Sequence, residues 1–217
     1  VMSELRERMS NAMCLRGMAA RTQEAYIGAL VELAKYYHRS PADLRVEEVQ
    51  AYLLHLIRDK KLAYASVNQA SCAFRFLYRR VLGRPEVGFD IPIAKVPQRL
   101  PQILSREEVA RLIDSARTLR GRTLLMTTYA AGLRVSEACA LQVGDIESAA
   151  DRLCLKVRQG KGSKDRYTLL SPHLLAALRT YWRDTRPRLW LFPNRAGTGP
   201  MEIQTAQRIY YAARNAA

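Results

Sequence analysis

Between Gly83 and Gln102 the chain carries Gly83, Pro85, Gly88, Pro92 and Pro97, and then Pro101. Proline has no amide hydrogen to donate and a fixed φ, and glycine weakens any helix it enters, so no regular helix crosses this stretch. Clear apolar periodicity lies on both sides of it. The chain therefore predicts two bodies and a connector: a domain over 1–83, an extended linker over 84–101 and a second domain over 102–217. Arg84, Lys95 and Arg99 keep the linker basic. It can lie along a phosphate backbone or simply be solvated, and the sequence favours neither.

The first body reads as helical throughout. Leu5, Met9, Ala12 and Met13 recur at helical spacing, and Gly17 ends that helix. Thr22 is placed to cap a second helix that carries Tyr26, Leu30, Leu33, Ala34 and Tyr37, and Ser40-Pro41 breaks it. A third helix runs from Val46 to Asp59 with Val49, Tyr52, Leu53, Leu56 and Ile57 on one face. A fourth runs from Ala65 to Leu82 with Val67, Ala70, Ala73, Phe74, Leu77, Tyr78 and Val81 inward. Its other face carries Arg75, Arg79 and Arg80. Four amphipathic helices with short connections make a small helical domain.

The second body is of mixed type. Ser105 and Glu108 have capping-box spacing ahead of Val109, Leu112, Ile113 and Ala116. An apolar helix is expected over Thr123–Ala131, and a short strand or turn over Val143–Ile146. Leu153–Val157 and Tyr167–Leu170 alternate as strands around the turn Gly160-Lys-Gly-Ser-Lys164. Ser171-Pro172 opens a helix through Leu174, Leu175, Leu178 and Trp182, and a last helix covers Ile203–Ala213. The fold class is thus mainly α, with a four-helix N-terminal domain and an α+β domain holding a small antiparallel sheet.

Charge narrows the class of partner. The 217 residues hold 35 Lys+Arg against 20 Asp+Glu, a net charge of +15. Residues 1–101 carry an excess of 6 positive charges and residues 102–217 an excess of 9. An excess spread over both bodies fits two lobes gripping one polyanion, with nucleic acid first. Double-stranded DNA is preferred over RNA, because no aromatic-rich strand offers bases a stacking surface. No apolar run reaches membrane-spanning length and no signal peptide is visible, so no membrane partner and a cytoplasmic setting are expected. Cys14, Cys72, Cys139 and Cys154 are far apart, without the spacing of a zinc or redox motif. They read as buried reduced thiols, and no metal or cofactor is expected.

One pair of residues carries the chemistry. Arg134 follows Gly132-Leu133 and precedes a short helix, with Glu137 three residues on, hence on the same helical turn. Downstream, Gln159-Gly-Lys-Gly-Ser-Lys-Asp-Arg166 forms a basic turn containing Lys161 and Lys164. A fixed guanidinium and a lysine on a hairpin suit phosphate binding. A structural Arg134–Glu137 salt bridge fits the spacing equally well.

Ala131-Gly-Leu-Arg-Val-Ser-Glu-Ala-Cys-Ala-Leu141, with Gly160-Lys-Gly-Ser-Lys-Asp-Arg166 at its distance, resembles the catalytic-domain motifs of the tyrosine recombinase, or phage integrase, family. The first body, with Thr22, Tyr26, Leu30 and the run from Ser66 to Tyr78, is similar to the core-binding, SAM-like domain of Xer-like recombinases and integron integrases. The resemblance covers essentially the whole chain. It implies site-specific recombination and DNA integration through a phosphotyrosine intermediate, with tetramers on paired sites. By the same resemblance Arg134 clamps the scissile phosphate, Glu137 steadies the site, and Lys161 is the general acid toward the leaving 5′-oxygen. Arg75, Arg79 and Arg80 are expected to face one groove of the DNA, and Lys164 and Arg166 to contact backbone phosphates or brace the hairpin.

The family also uses a His-x-x-Arg box and a nucleophilic tyrosine after the hairpin, and neither stands in this sequence. His55-Leu-Ile-Arg58 precedes Arg134, His173 has no arginine three residues on, and Tyr210 and Tyr211 fall before the expected box. Without a nucleophile no covalent intermediate forms. The expectation is a truncated recombinase that binds DNA and does not cleave it alone, with apolar surface uncovered around Trp182, Leu191 and Phe192. The competing reading is a non-catalytic DNA-binding or regulatory protein with the same two lobes.

Overall fold

The computed structural model describes residues 4–84, 100, 102–149, 151–158 and 165–217. The chain divides into two compact units, Val1–Leu100 and Pro101–Ala217.

In the first unit α1 (Glu4–Cys14), α2 (Ala20–Tyr37), α3 (Val46–Arg58) and α4 (Tyr64–Phe76) enclose one core. Met9, Met13, Leu33, Val49, Ala73, Phe74 and Leu77 are wholly buried in it. Each comes from the apolar stripe of its helix, which is why periodicity sufficed to name most of them. Three details differ from the sequence-based expectation. Thr22 does not cap α2: the helix begins at Ala20 after Ala19, and the Thr22 amide already donates to the Ala19 carbonyl inside the first turn. The fourth helix does not run on as α-helix to Leu82, because Leu77–Val81 widens into a π turn. That turn seats Tyr78, whose hydroxyl donates to the carbonyls of Pro41 (2.7 Å) and Leu44 (3.2 Å). Burial pushes the Tyr78 phenol up to about 12. Finally, Cys14 and Cys72 are exposed rather than buried, since each stands off the apolar stripe of its helix.

The second unit combines helices with a three-stranded antiparallel sheet. It contains α5 (Arg106–Asp114), α6 (Leu119–Ala130), α7 (Val135–Cys139), β1 (Ile146–Ala149), β2 (Arg152–Val157), β3 (Arg166–Leu169), α8 (Pro172–Thr185) and α9 (Ile203–Ala216). The expected capping box opens α5: the Ser105 hydroxyl accepts the Glu108 amide, and the Glu108 carboxylate accepts the Ser105 amide. Helix α6 starts earlier than its apolar residues suggest, because Thr118 caps it through the Gly121 amide at 3.0 Å. Gly121 is buried there, and a Cβ on it would stand 3.1 Å from Ile209 of α9. Residues 119–122 contain Arg120, Gly121 and Arg122, which hide a helix start from apolar periodicity.

Strand order is β1-β2-β3, with Ile146 opposite Leu155 and Val157 opposite Arg166. The sequence disclosed β2 and β3 but not β1. Val143–Asp145 forms a 3-10 turn, and Glu147, Ser148 and Ala149 are all exposed, so β1 lacks the alternation that marks a strand. The core of this unit centres on Leu155, Leu174, Leu191 and Phe192, all wholly buried. Of the apolar surface expected to be partly uncovered around Trp182, Leu191 and Phe192, the last two are buried and only Trp182 stays partly exposed. The Leu191 amide donates to the Leu141 carbonyl at 2.8 Å, and the Phe192 ring lies 5.4 Å from that of Tyr181. Trp182 is 39% exposed, with the Arg186 guanidinium 4.3 Å from its ring centroid. Among the described residues no helix is long and apolar enough to cross a membrane.

Candidate functional site

Helix α6 ends at a left-handed glycine. Gly132 has φ +58°, which an L side chain adopts only with strain, and the Leu133 amide turns back to the Thr128 carbonyl at 3.0 Å. Leu133 drops into the core. The next residue, Arg134, is extended and stands at the N-cap of α7. From β3 the Thr168 hydroxyl donates to the Ala131 carbonyl at 2.9 Å, tying the sheet to this turn. Arg134 thus sits at a bend held on one side by a buried leucine and on the other by a strand.

Glu137 is the centre of the arrangement. Its side chain is 6% exposed and accepts four hydrogen bonds. The Arg134 amide reaches Oε2 at 2.8 Å and the Arg134 guanidinium reaches Oε1 at 2.7 Å. Arg166 makes a two-pronged contact, Nη1 to Oε1 and Nη2 to Oε2, both at 2.8 Å. These bonds, that to Arg166 foremost, hold the carboxyl down at about 2 against the opposing effect of burial. The same pairing raises the Arg166 guanidinium above its ordinary value. One buried carboxylate therefore serves two arginines, leaving a net positive charge. The Arg134 side chain is 55% exposed and that of Arg166 is 37% exposed.

A second carboxylate repeats the pattern. Asp145 is 2% exposed; it accepts the Gln142 amide at 2.9 Å and the Arg158 Nε at 2.5 Å. Ser136, Glu137, Asp145, Lys156, Arg158 and Trp190 line a cleft of about 450 Å³. Arg158 ends the described part of the β2 side and Arg166 opens β3. The described residues on either side of 159–164 are thus each tied by an arginine to a buried acid. Sequence reasoning missed Asp145, Arg158 and Thr168. A signal existed for the first pair: Gln142 and Asp145 repeat the spacing of Arg134 and Glu137, and Arg158 mirrors Arg166 across the turn.

Of the residues expected at the site, Arg134, Glu137 and Arg166 are brought together. The salt bridge exists, and the arginine still reaches solvent. Lys161 and Lys164 lie outside the described residues. In the first unit Arg75 is half-buried on α4, and Arg79 and Arg80 are exposed on the π turn. His55 pairs through Nδ1 with Asp59 at 2.6 Å.

Comparisons with known proteins converge on one family. Residues 5–86 match the phage integrase N-terminal SAM-like domain, and residues 102–217 match the phage integrase family. An integrase/recombinase of Sinorhizobium fredii is 43% identical over 199 residues, covering 91% of this chain and 64% of the relative. An Escherichia coli integrase/recombinase is 32% identical over 204 residues, covering 90% of this chain and 56% of the relative. The chain thus spans about three-fifths of the length of these two relatives. Tyrosine recombinase XerC of Xanthomonas axonopodis pv. citri is 30% identical over 219 residues, covering 90% of this chain and 71% of that protein. The fold matches that of a lambda integrase dimer bound to a COC′ core site, with TM-score 0.76 at 17% identity, over 99% of this chain and 81% of the other. It also matches the Tn1549 transposon integrase in complex with circular intermediate DNA, with TM-score 0.70 at 12% identity, over 98% and 84%. By its sequence matches over both units and by its fold, the chain belongs to the phage integrase family of tyrosine recombinases.

Proposed function

We propose that this chain binds duplex DNA and presents Arg134 to a backbone phosphate, as part of the site that performs strand transfer in site-specific recombination. The observation that carries the reading is the posture of Arg134: its backbone is locked at a helix N-cap, its guanidinium is aligned by a buried acid, and over half of its side chain is open to solvent. A preorganised cation of this kind stabilises charge that accumulates on the non-bridging oxygens of a transferring phosphoryl group. Glu137 sets its direction. Lys161 as general acid, Lys164 on the backbone, and Arg75, Arg79 and Arg80 of the other unit facing one groove complete the set of proposed contacts.

The relatives named integrase/recombinase and XerC, and the DNA-bound structures that share the fold, support this reading. Self-association on paired DNA sites is the corresponding proposal for assembly. Fluorescence anisotropy with a labelled 30-base-pair duplex tests the binding. Affinity should fall linearly on a log–log plot against salt, and binding that is weak and insensitive to salt would end the proposal. The chemical role is tested on a polypeptide of the relatives' length that contains this chain, using a nicked suicide duplex. It should trap a covalent protein–DNA adduct that Arg134→Ala removes. Specific binding with no adduct from that longer polypeptide would favour a purely regulatory DNA-binding protein instead.

A further inference from the structure

We infer that Arg166 is a positioning residue that neutralises Glu137, so that the positive charge of Arg134 stays available to a phosphate. The inference rests on the phosphate reading of Arg134 and assigns Arg166 a role apart from direct DNA contact. Three observations lead to it. Glu137 is almost wholly enclosed and ionised, so its charge acts at short range on whatever cation faces it. Arg166 meets it with both prongs at 2.8 Å, the geometry in which a guanidinium and a carboxylate compensate each other best. Arg134 meets it with one guanidinium nitrogen only, at 2.7 Å, and leaves the rest of its fork facing outward.

Removing Arg166 would leave one carboxylate and one guanidinium. The pair would then be neutral, and Glu137 would compete with a phosphate for the fork of Arg134. Removing the charge of Glu137 as well would lift that competition. A direct phosphate contact by Arg166 predicts the opposite, because neutralising Glu137 cannot replace a missing cation.

The experiment measures the salt dependence of binding to the 30-base-pair duplex for the full chain and four variants: Arg134→Gln, Arg166→Gln, Arg166→Lys and the double variant Glu137→Gln/Arg166→Gln. Circular dichroism confirms folding. Arg134→Gln should lower the slope by about 0.9, the value of one phosphate contact. Arg166→Gln should lower it as much, Arg166→Lys should lower it less, and the double variant should return to the parent slope. An unchanged slope in Arg166→Gln, or a double variant no better than Arg166→Gln, overturns the inference. Should Arg166→Gln fail to fold, Arg166→Lys and the double variant decide it in the same way. If Arg134→Gln leaves the slope unchanged, it is the phosphate reading of Arg134 that falls. The charge relation is then read from the Glu137 carboxyl by carbon-13 NMR. Arg166→Gln must raise its pKa more than Arg134→Gln does, and an equal or smaller rise overturns the inference on its own ground.

Discussion

At the scale of single residues, the second unit turns on what Glu137 does when it loses its charge. Its carboxyl is held at about 2, below the ordinary 4.5, because protonation would break two charged partnerships. A folded-state pKa below the unfolded one means stability that is fully present above about pH 4.5 and disappears as pH falls toward 2. Urea unfolding of the chain should therefore show a loss of stability across that acid window. Glu137→Gln should flatten the window while lowering stability at neutral pH. Glu137→Ala should cost about 2 kcal/mol at pH 7, less than a fully enclosed ion pair, because both guanidinium groups reach solvent. The presence of an Arg and a Glu three apart was legible in the sequence. The third member was not, since Arg166 lies 29 positions away and only the pairing of β3 with β2 brings it home.

At the scale of elements, caps and anchors can be ranked by what they leave unsatisfied. The Thr118 hydroxyl accepts the Gly121 amide at the start of α6, and that of Ser171 accepts the Leu174 amide at the start of α8. Thr118→Ala and Ser171→Ala should each cost about 1 kcal/mol in thermal or urea unfolding. Tyr78→Phe should cost about 1–2 kcal/mol, because the buried carbonyls of Pro41 and Leu44 lose a donor. These elements differ in how far sequence disclosed them. Helices α1, α3 and α4 announce themselves by one apolar stripe. β1 does not: its exposed Glu147, Ser148 and Ala149 become a strand only because β2 offers them partners.

At the scale of the whole molecule, a separate core in each unit and a charge of +15 set the expectations. Residues 4–84 and 102–217, expressed separately, should each unfold cooperatively in a calorimeter, the domain division that the proline- and glycine-rich stretch suggests. A non-cooperative melt of either piece would mean that it needs the other. If the chain binds duplex DNA as proposed, the positive excess in both units means that both should be engaged. Affinity should fall by about 10³-fold or more between 50 and 200 mM salt if at least six phosphates are met. A much shallower dependence in the intact chain would mean that one unit alone touches DNA.

By itself the sequence determined the helical stripes of the first unit, the strands β2 and β3 and the family they resemble. Those properties are local: periodicity, turn chemistry and short motifs are written within a few residues of one another. Tertiary structure alone decided that Arg166 and Arg134 share Glu137, that Asp145 anchors Arg158, and that Leu191 and Phe192 are covered. Each depends on a pairing between distant segments. Whether an arginine ends on a phosphate or on a carboxylate depends on which of them the folded backbone places within about 3 Å.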